Sequence, residues 1–268
     1  MAGSRAAAFF DLDRTLISGS SAYYFGIAAY RNGMIELADL LSDARKALAF
    51  KLFGATDEKS AQVRDRILAA VEGAEQADLL ALNEETIPRI LDRIRPESRS
   101  LIDMHHEAGR ECWIVSASPI EMVEPLARAL GMEGAIATRS AVEDGRYTGE
   151  LDGPFVYGEG KAEAIAALAE ERGYDLRLCY SYSDSASDLP MMEMVGHPVA
   201  VNPDGPLQNV ATQRGWPIVV FSQRVKQVVR TTTASAGAAG LATLTYVLGR
   251  RHGRIAAQAA RGSLLPWR

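Results

Sequence analysis

Residues 9–16, FFDLDRTL, are the strongest indication of the fold, because an apolar run of strand length ends in two carboxylates, Asp11 and Asp13. A short continuous apolar run of this kind is typical of a strand buried in a parallel sheet. At the carboxyl end of such a strand the chain turns, and both carboxylates can then face one site at the edge of the sheet. A solvated strand end is the alternative for this pair taken alone.

Further apolar runs of strand length follow along the chain, separated by segments of helical period. They are residues 112–115, 176–181, 198–201 and 217–221. This alternation predicts an α/β fold with a doubly wound parallel sheet. Residues 19–95 contain no convincing strand, so we expect a helical cap inserted after the first strand, with the core formed by residues 5–18 and 96–221.

Two local signals refine this prediction. Residues 141–148 alternate around Asp144-Gly145, which predicts a small antiparallel hairpin on the core. The sequence SPIE, residues 118–121, matches a capping box with proline at the first helical position. We therefore expect a helix to begin directly after the strand that ends at Ser116.

Ser116 and Lys161 are candidate anion-binding residues. A serine at a strand end, followed at once by a helix N-terminus, can form an anion site, although a turn residue and a helix cap explain the same pattern. Lys161 follows Gly160 at the start of a predicted helix. A phosphate-binding P-loop is excluded there because residue 155 is phenylalanine and residue 162 is alanine. An exposed lysine is the alternative reading of this position.

Asp184 and Asp188 are candidate metal ligands. Asp184 ends the predicted strand YSYS, and Asp188 follows four residues later at the start of a predicted helix. Carboxylate oxygens at a strand end suit Mg2+. Asp188 is also placed to cap its helix, and both roles are compatible.

Together these motifs resemble the haloacid dehalogenase superfamily of phosphatases. The order is D-x-D-x-T, a serine after a strand, a lysine and D-x-x-x-D, with the helical insertion directly after the first motif. That layout is similar to subfamily IB, the phosphoserine-phosphatase-like group, and it spans about residues 6–221. The resemblance implies a Rossmann-like core and Mg2+-dependent hydrolysis of a phosphomonoester of a small molecule or headgroup.

The resemblance also implies a role for each residue of the site. Asp11 would attack phosphorus to form an aspartyl-phosphate, and Asp13 would act as general acid and then general base. Ser116 and Lys161 would bind the transferring phosphoryl group. Because displacement of a halide needs no acid for the leaving group, the presence of Asp13 argues against a true dehalogenase.

By the same resemblance, Mg2+ would be held by the Asp11 carboxylate, the Asp13 backbone carbonyl and Asp184. Asp188 would not bind the metal directly but would orient a water molecule and Lys161. Charge balance supports this cofactor. Four carboxylates and one lysine sum to −3, which would repel a phosphate dianion. Mg2+ changes the sum to −1, and protonation of Asp13 changes it to zero.

The substrate is the least determined part of the prediction. Phosphoserine phosphatases place a glutamate nine residues after the nucleophile to bind the substrate amine, whereas this chain has Ser20 there. Residues 183–185 read SDS where that group usually has GDG, and Arg14 replaces a small residue. Phosphoserine is therefore in doubt, and we expect another substrate, selected by the cap. Phosphotransfer to an alcohol and a catalytically inactive scaffold are the rival functions.

Composition excludes several other classes of protein. The chain has 268 residues, of which 47% are hydrophobic, so a full core needs no disulfides. Cys112 and Cys179 lie in apolar runs and are expected to be buried reduced thiols. His105 and His106 are expected at the surface of a helix. The apolar run before Asp11 is too short for a secretory signal, which favours a cytoplasmic protein.

Charge is distributed unevenly along the chain. Residues 1–204 carry a net charge of −14, and residues 205–268 carry +9 with no acidic residue. The acidic body argues against nucleic-acid binding. In the basic tail, 222–268, the uncharged run 231–249 is flanked by arginines and a lysine within 224–254. We expect either an anchor to an anionic membrane at the inner face of the cell membrane or a soluble helical extension.

Overall fold

The computed structural model describes residues 5–34, 64–65, 68–69 and 71–221. The predicted tail with its uncharged run 231–249, and the middle of the predicted cap, lie outside the described residues. Within the described ranges, every helix is too short or too polar to cross a bilayer.

The first described strand is followed by a helical segment, and from residue 111 onward strands and helices alternate, except that three strands follow one another between residues 134 and 151. The strands are β1 (Ala7–Asp11), β2 (Glu111–Pro119), β3 (Gly134–Thr138), β4 (Ser140–Glu143), β5 (Arg146–Leu151), β6 (Tyr180–Ser183), β7 (His197–Val201) and β8 (Ile218–Val219). The helices are α1 (Ser21–Arg31), α2 (Gln76–Ala81), α3 (Asn83–Leu91), α4 (Pro96–Glu107), α5 (Ile120–Ala129), α6 (Glu159–Arg172), α7 (Leu189–Glu193) and α8 (Gly205–Arg214).

Six strands form one parallel sheet in the order β3-β2-β1-β6-β7-β8. The predicted α/β fold with a parallel sheet is therefore confirmed. β1 lies at the centre, and all five of its residues are buried. The chain order changes direction between β1 and β6, and such a switch point opens a crevice at the carboxyl ends of the strands.

Helices cover both faces of this sheet, as a doubly wound fold requires. Phe9 points into a cluster that includes Ile165 of α6. Its neighbour Phe10 points to the opposite face, where its ring contacts His105 of α4. This alternation follows from the two-residue period of a strand and explains why the apolar run of β1 is continuous.

The prediction that His105 lies at the surface is wrong. Its side chain is fully buried, with Nε2 2.7 Å from the Tyr182 hydroxyl. Arg110 donates a hydrogen bond from Nε to Nδ1 at 2.7 Å. Burial lowers the pKa of His105 to about 3, with Arg110 adding to the effect, so the ring is neutral. His105 lies on the face of α4 that packs against the sheet, and this polar network satisfies both ring nitrogens.

Two local predictions are wrong, and one strand was not predicted. Residues 176–181 do not form one strand, because 176–178 make a 3-10 turn and β6 begins at Tyr180. The small-residue strand β3 was not predicted. α5 begins at Ile120 with Pro119 at its N-cap, so Ser118 is not the cap of this helix. Glu121 instead accepts a hydrogen bond from Gln76 Nε2 at 3.1 Å.

The predicted hairpin is confirmed, since β4 and β5 pair antiparallel around Asp144 and Gly145. Both turn residues have positive φ, 48° and 78°, as a tight turn between twisted strands requires. Tyr147 of β5 packs into a cluster with residues of α1 and α2. The hairpin thus contacts helices of the predicted cap. Cys112 and Cys179 are free and buried, as expected.

Candidate active site

The ends of β1 and β6 bring the first and last acidic motifs together. Asp11 is the last residue of β1, and the register pairs Phe10 with Tyr182, one residue earlier on each strand. Ser183 and Asp184 therefore lie beside Asp11 at the carboxyl edge of the sheet. Both aspartates are buried, with exposed fractions of 9% and 3%.

Lys161 lies in the first turn of α6, at the same edge of the sheet. The helix begins after Gly158, whose φ of 54° is in the left-handed region. Gly160 packs so closely against the chain that an added Cβ would lie 2.0 Å from the carbonyl oxygen of Phe155. This close approach directs Lys161 inward, where Nζ lies 2.7 Å from Asp11 Oδ1 and 2.8 Å from Asp188 Oδ2. The exposed-lysine alternative is therefore wrong.

Asp188 serves this cluster rather than the helix that follows it. Its side chain makes no capping hydrogen bond to α7. Besides Lys161, Oδ2 accepts a hydrogen bond from the Ser183 hydroxyl at 2.7 Å. Oδ1 is buried without a hydrogen-bond partner among the described residues. Asp188 is thus fixed through one oxygen and keeps the other available.

Asp13 is held at the beginning of α1. The Ser21 backbone N–H donates to Asp13 Oδ1 at 2.6 Å, and the Ser20 hydroxyl donates to Oδ2 at 3.4 Å. A tight turn closed by the bond from Ile17 N–H to the Leu12 carbonyl, at 3.1 Å, directs Asp13 toward this helix end. Ser20, which occupies the position where the resemblance predicts a glutamate, therefore helps to hold the Asp13 carboxyl group in place.

Ser116 lies next to this cluster on β2. The register pairs Asp11 with Val115, so Ser116 is one residue beyond the partner of Asp11. Its side chain is buried, and Oγ accepts a hydrogen bond from the Ser118 N–H at 3.2 Å. A hydroxyl that accepts in this way keeps its own hydrogen to donate to an anion.

Burial sets the protonation of the carboxylates. Burial raises the pKa of Asp11 to about 8, although the charge of Lys161 opposes the shift. Burial likewise raises the pKa of Asp184 to about 7, against the opposing charge of Arg14. The pKa of Asp13 is also raised by burial, and the hydrogen bonds from Ser21 limit the shift. Low-dielectric surroundings disfavour the charged form of each acid.

Lys161 remains charged in this environment. Burial alone would lower the pKa of its ammonium group, but the attraction of Asp11 and Asp188 outweighs burial and raises that pKa above the usual range. Its single positive charge is shared between Asp11 and Asp188.

Arg14 and Asp204 were not predicted to act in the site. Arg14 Nη2 lies 2.9 Å from Asp184 Oδ2. Asp204, which follows β7, donates its backbone N–H to the Asp184 carbonyl at 2.8 Å and accepts from Ala186 N–H at 3.1 Å. A signal for each was present, because Arg14 directly follows the D-x-D pair and Asp204 follows an apolar strand.

The donor set fits a divalent cation. Asp184 Oδ2 and Asp188 Oδ1 are buried and make no hydrogen bond within the part of the chain that the structure describes. Asp184 Oδ2 has only its ion pair with Arg14, and buried carboxylate oxygens without a hydrogen bond are rare outside sites that bind an ion. Carboxylate oxygens beside Asp11 suit Mg2+. With Arg14 included, the four carboxylates and two cations sum to −2.

Comparison with known proteins identifies relatives along most of the chain. A family model for haloacid dehalogenase-like hydrolases matches residues 8–193. A probable phosphatase of Mycobacterium tuberculosis is 41% identical over 92% of this chain and 90% of its own length. A phosphoserine phosphatase of the same species is 39% identical, over 93% and 82%. A histidinol-phosphatase of Neisseria meningitidis is 32% identical, over 80% and 98%.

Solved structures show the same fold. A protein of unknown function from Bordetella pertussis superposes with a TM-score of 0.71 at 30% identity, over 80% of this chain and 98% of that one. A phosphoserine phosphatase solved as an analogue of its phospho-aspartyl intermediate superposes with a TM-score of 0.60 at 20% identity, over 82% and 95%.

Proposed function

Because the chain belongs to the haloacid dehalogenase-like hydrolase family, we propose that it is a Mg2+-dependent phosphomonoester hydrolase that works through an aspartyl-phosphate on Asp11. The observation that carries the proposal is the position of Lys161, whose Nζ bridges Asp11 and Asp188 at the carboxyl edge of the sheet. Burial of a lysine and two carboxylates of separate motifs costs desolvation energy, and buried charge clusters of this kind are concentrated at functional sites. The same ammonium group would bind a phosphoryl group in front of Asp11.

The reaction would proceed in two steps on the residues of this chain. In the first, a carboxylate oxygen of Asp11 attacks phosphorus and the ester oxygen leaves. Asp13, protonated at the start, donates its proton to that leaving oxygen. In the second, Asp13 takes a proton from water, which attacks phosphorus and frees the Asp11 carboxylate. Ser116 and Lys161 hold the phosphoryl oxygens throughout.

Raised pKa values suit these roles. Burial raises the pKa of Asp13, which favours the protonated form that the first step requires. The hydrogen bond from Ser21 fixes Oδ1, and a proton on Oδ2 would be donated to the Ser20 hydroxyl, which can accept as well as donate. Asp11, the Asp13 carbonyl and Asp184 would hold Mg2+, which would supply positive charge that favours ionised Asp11 and offsets the charge of the phosphate dianion.

The substrate class that we propose is a phosphorylated small molecule. Two relatives are named for phosphoserine and histidinol phosphate, and both compounds are phosphomonoesters that carry an amine. In this chain Ser20 faces Asp13 and no acidic side chain replaces the expected glutamate at that position. We therefore propose that phosphoserine is a poor substrate and that the cap selects a different ester.

The direct test is phosphate release by the purified protein, with and without Mg2+. The panel contains phosphoserine, histidinol phosphate, lysophosphatidate and p-nitrophenyl phosphate. We expect Mg2+-dependent release from at least one ester, reduced by at least about a thousandfold in Asp11→Asn because the nucleophile is lost.

A matched control separates loss of the nucleophile from general damage. Asp144→Asn makes the same chemical change at an exposed turn residue with φ 48°, a conformation that asparagine tolerates. This variant should retain the wild-type rate. Release that persists in Asp11→Asn would contradict the proposal, and absence of release from all four esters by a folded protein that binds Mg2+ would favour the inactive scaffold. Transfer of phosphate to an added alcohol, detected as a new ester, would favour phosphotransfer.

A further inference from the structure

Arg14 has an unusual backbone conformation directly beside Asp13. Its φ is 62°, in the left-handed region that residues other than glycine seldom adopt. The backbone N–H of Arg14 donates to the Gly19 carbonyl at 2.9 Å, which holds the residue in this conformation. The side chain reaches from the turn after β1 to the end of β6. There the guanidinium meets Asp184 at 2.9 Å.

Arg14 and Asp184 form an ion pair that is not supported by a hydrogen bond. The Asp184 side chain is 5% exposed, whereas the Arg14 side chain is 48% exposed. Oδ2 of Asp184, the atom nearest to Arg14, has no hydrogen bond with acceptable geometry among the described residues. An arginine that is half exposed and makes no directed hydrogen bond to its carboxylate can be replaced there by another cation, because water solvates the released guanidinium.

We propose that Arg14 is an internal competitor of Mg2+, which pairs with Asp184 when the metal is absent and releases that carboxylate when the metal binds. This inference rests on the Mg2+ site of the proposed function. A cation that binds Asp184 approaches the same oxygen as Arg14 and repels the guanidinium. The exposed half of the arginine side chain gives it room to turn toward solvent.

Competition of this kind has two consequences that can be measured. Arg14 neutralises part of the acidic cluster while Mg2+ is absent, so its loss should lower the melting temperature of the metal-free protein. Its loss should also strengthen Mg2+ binding, since the metal no longer displaces a cation or approaches a positive charge. We expect the dissociation constant for Mg2+ to fall by about three- to tenfold.

The experiment is calorimetric titration of Mg2+ into the full-length protein at pH 7.5 and constant ionic strength. Arg14→Asn removes the charge and keeps a residue that tolerates positive φ, and Arg14→Gly repeats the loss of charge in the residue best suited to φ 62°. The matched control is Arg177→Asn, which removes an arginine paired with Asp175 at the opposite end of β6. It makes the same change in net charge away from the site.

Tighter Mg2+ binding in both Arg14 variants, with wild-type affinity in the control, would support the inference. Unchanged affinity in the Arg14 variants would overturn it, and weaker affinity would show that Arg14 organises Asp184 for the metal instead. Because the experiment measures Mg2+ binding rather than turnover, it distinguishes failure of the proposed cofactor from failure of the role of Arg14. A wild-type protein that binds no Mg2+ would contradict both this inference and the proposed cofactor, whereas an unaltered affinity in the variants would contradict only the role of Arg14.

Discussion

Buried charge sets the properties of individual residues in this phosphatase. Asp11 and Asp188 share the ammonium group of Lys161, and each of these side chains is almost completely enclosed. Charges in such surroundings are tolerated only while their partners remain, because water cannot replace the lost interaction. The same enclosure raises the pKa of Asp11 and prepares the site for a cation.

Lys161→Met should therefore destabilise the protein. The substitution leaves the carboxylates of Asp11 and Asp188 without their shared cation, and removal of one partner from a buried pair costs about 3 kcal/mol. Urea denaturation of the metal-free protein measures the loss. Asp188→Asn in the Lys161→Met background should recover part of it, since one orphaned charge is removed. Equal stability of Lys161→Met and wild type would contradict the buried-pair interpretation.

The stability of the metal-free protein should depend on pH. Asp11 and Asp184 have pKa values of about 8 and about 7 in the folded protein, against 3.8 as the ordinary value. The folded state therefore holds more protons than the unfolded state between these limits, and stability of the metal-free protein should fall as pH rises from about 4 to about 8.

Mg2+ competes with these protons, so its apparent affinity should be at least about tenfold weaker at pH 6 than at pH 8. The increase in melting temperature at a fixed Mg2+ concentration should accordingly be larger at pH 8. Thermal denaturation at both pH values, with NaCl at matched ionic strength as the control, measures this difference. An equal increase at the two pH values would show that the carboxylates release no protons to the metal.

At the scale of elements, Asp204 joins helix α8 to the loop that carries Asp184. Its Oδ1 accepts from the Leu207 N–H at 2.8 Å as the cap of α8, and its Oδ2 accepts from the Ala186 N–H at 3.1 Å. One side chain thus satisfies donors of two elements. The loop after β6 is held in place by a residue that follows β7.

Asp204→Ala should cost about 1–2 kcal/mol of unfolding free energy, since a helix cap and a loop hydrogen bond are both lost. Asp204→Asn keeps one acceptor oxygen and should lose less than half as much. Urea denaturation ranks the variants. A further effect on Mg2+ affinity is expected in Asp204→Ala, because the loop positions Asp184. Equal stability of the alanine and asparagine variants would argue against the capping role.

At the scale of the whole molecule, charge separates the chain into an acidic body and a basic tail. The six candidate site residues all lie before Asp204, in the part that carries −14, while residues 205–268 carry +9. The tail's cations within 224–254 predict attraction to an anionic membrane surface. This prediction rests on sequence alone, since residues 222–268 lie outside the described residues.

The full-length protein should bind vesicles that contain phosphatidylserine and not vesicles of phosphatidylcholine alone. Binding should weaken as NaCl rises, because salt screens charge attraction. Replacement of Arg250, Arg251 and Arg254 by glutamine should reduce co-sedimentation while hydrolysis of a soluble ester is unchanged. Equal binding to both kinds of vesicle would point to an apolar anchor, and binding to neither would favour a soluble extension.

The sequence by itself determined the α/β fold and the residues that meet at the end of β1. An apolar run buried on both faces, ending in carboxylates, has few alternatives in a parallel sheet, so Asp11 and Asp184 could be assigned to one edge. Lys161 was assigned there only through the family resemblance. The Asp-Gly turn of the hairpin could also be predicted from the sequence, because it depends on two neighbouring residues. These signals are local, or repeat with the period of a strand or helix.

The contacts between side chains that are far apart in the sequence became visible only in the three-dimensional structure. The burial of His105, the pairing of Arg14 with Asp184 and the contact of Ser20 with Asp13 arise when separate elements pack together. Sequence showed these residues but not their partners. The physical reason is that burial and long-range charge depend on distances in space, which no spacing along the chain fixes, and these quantities set the pKa values and the charge of the site.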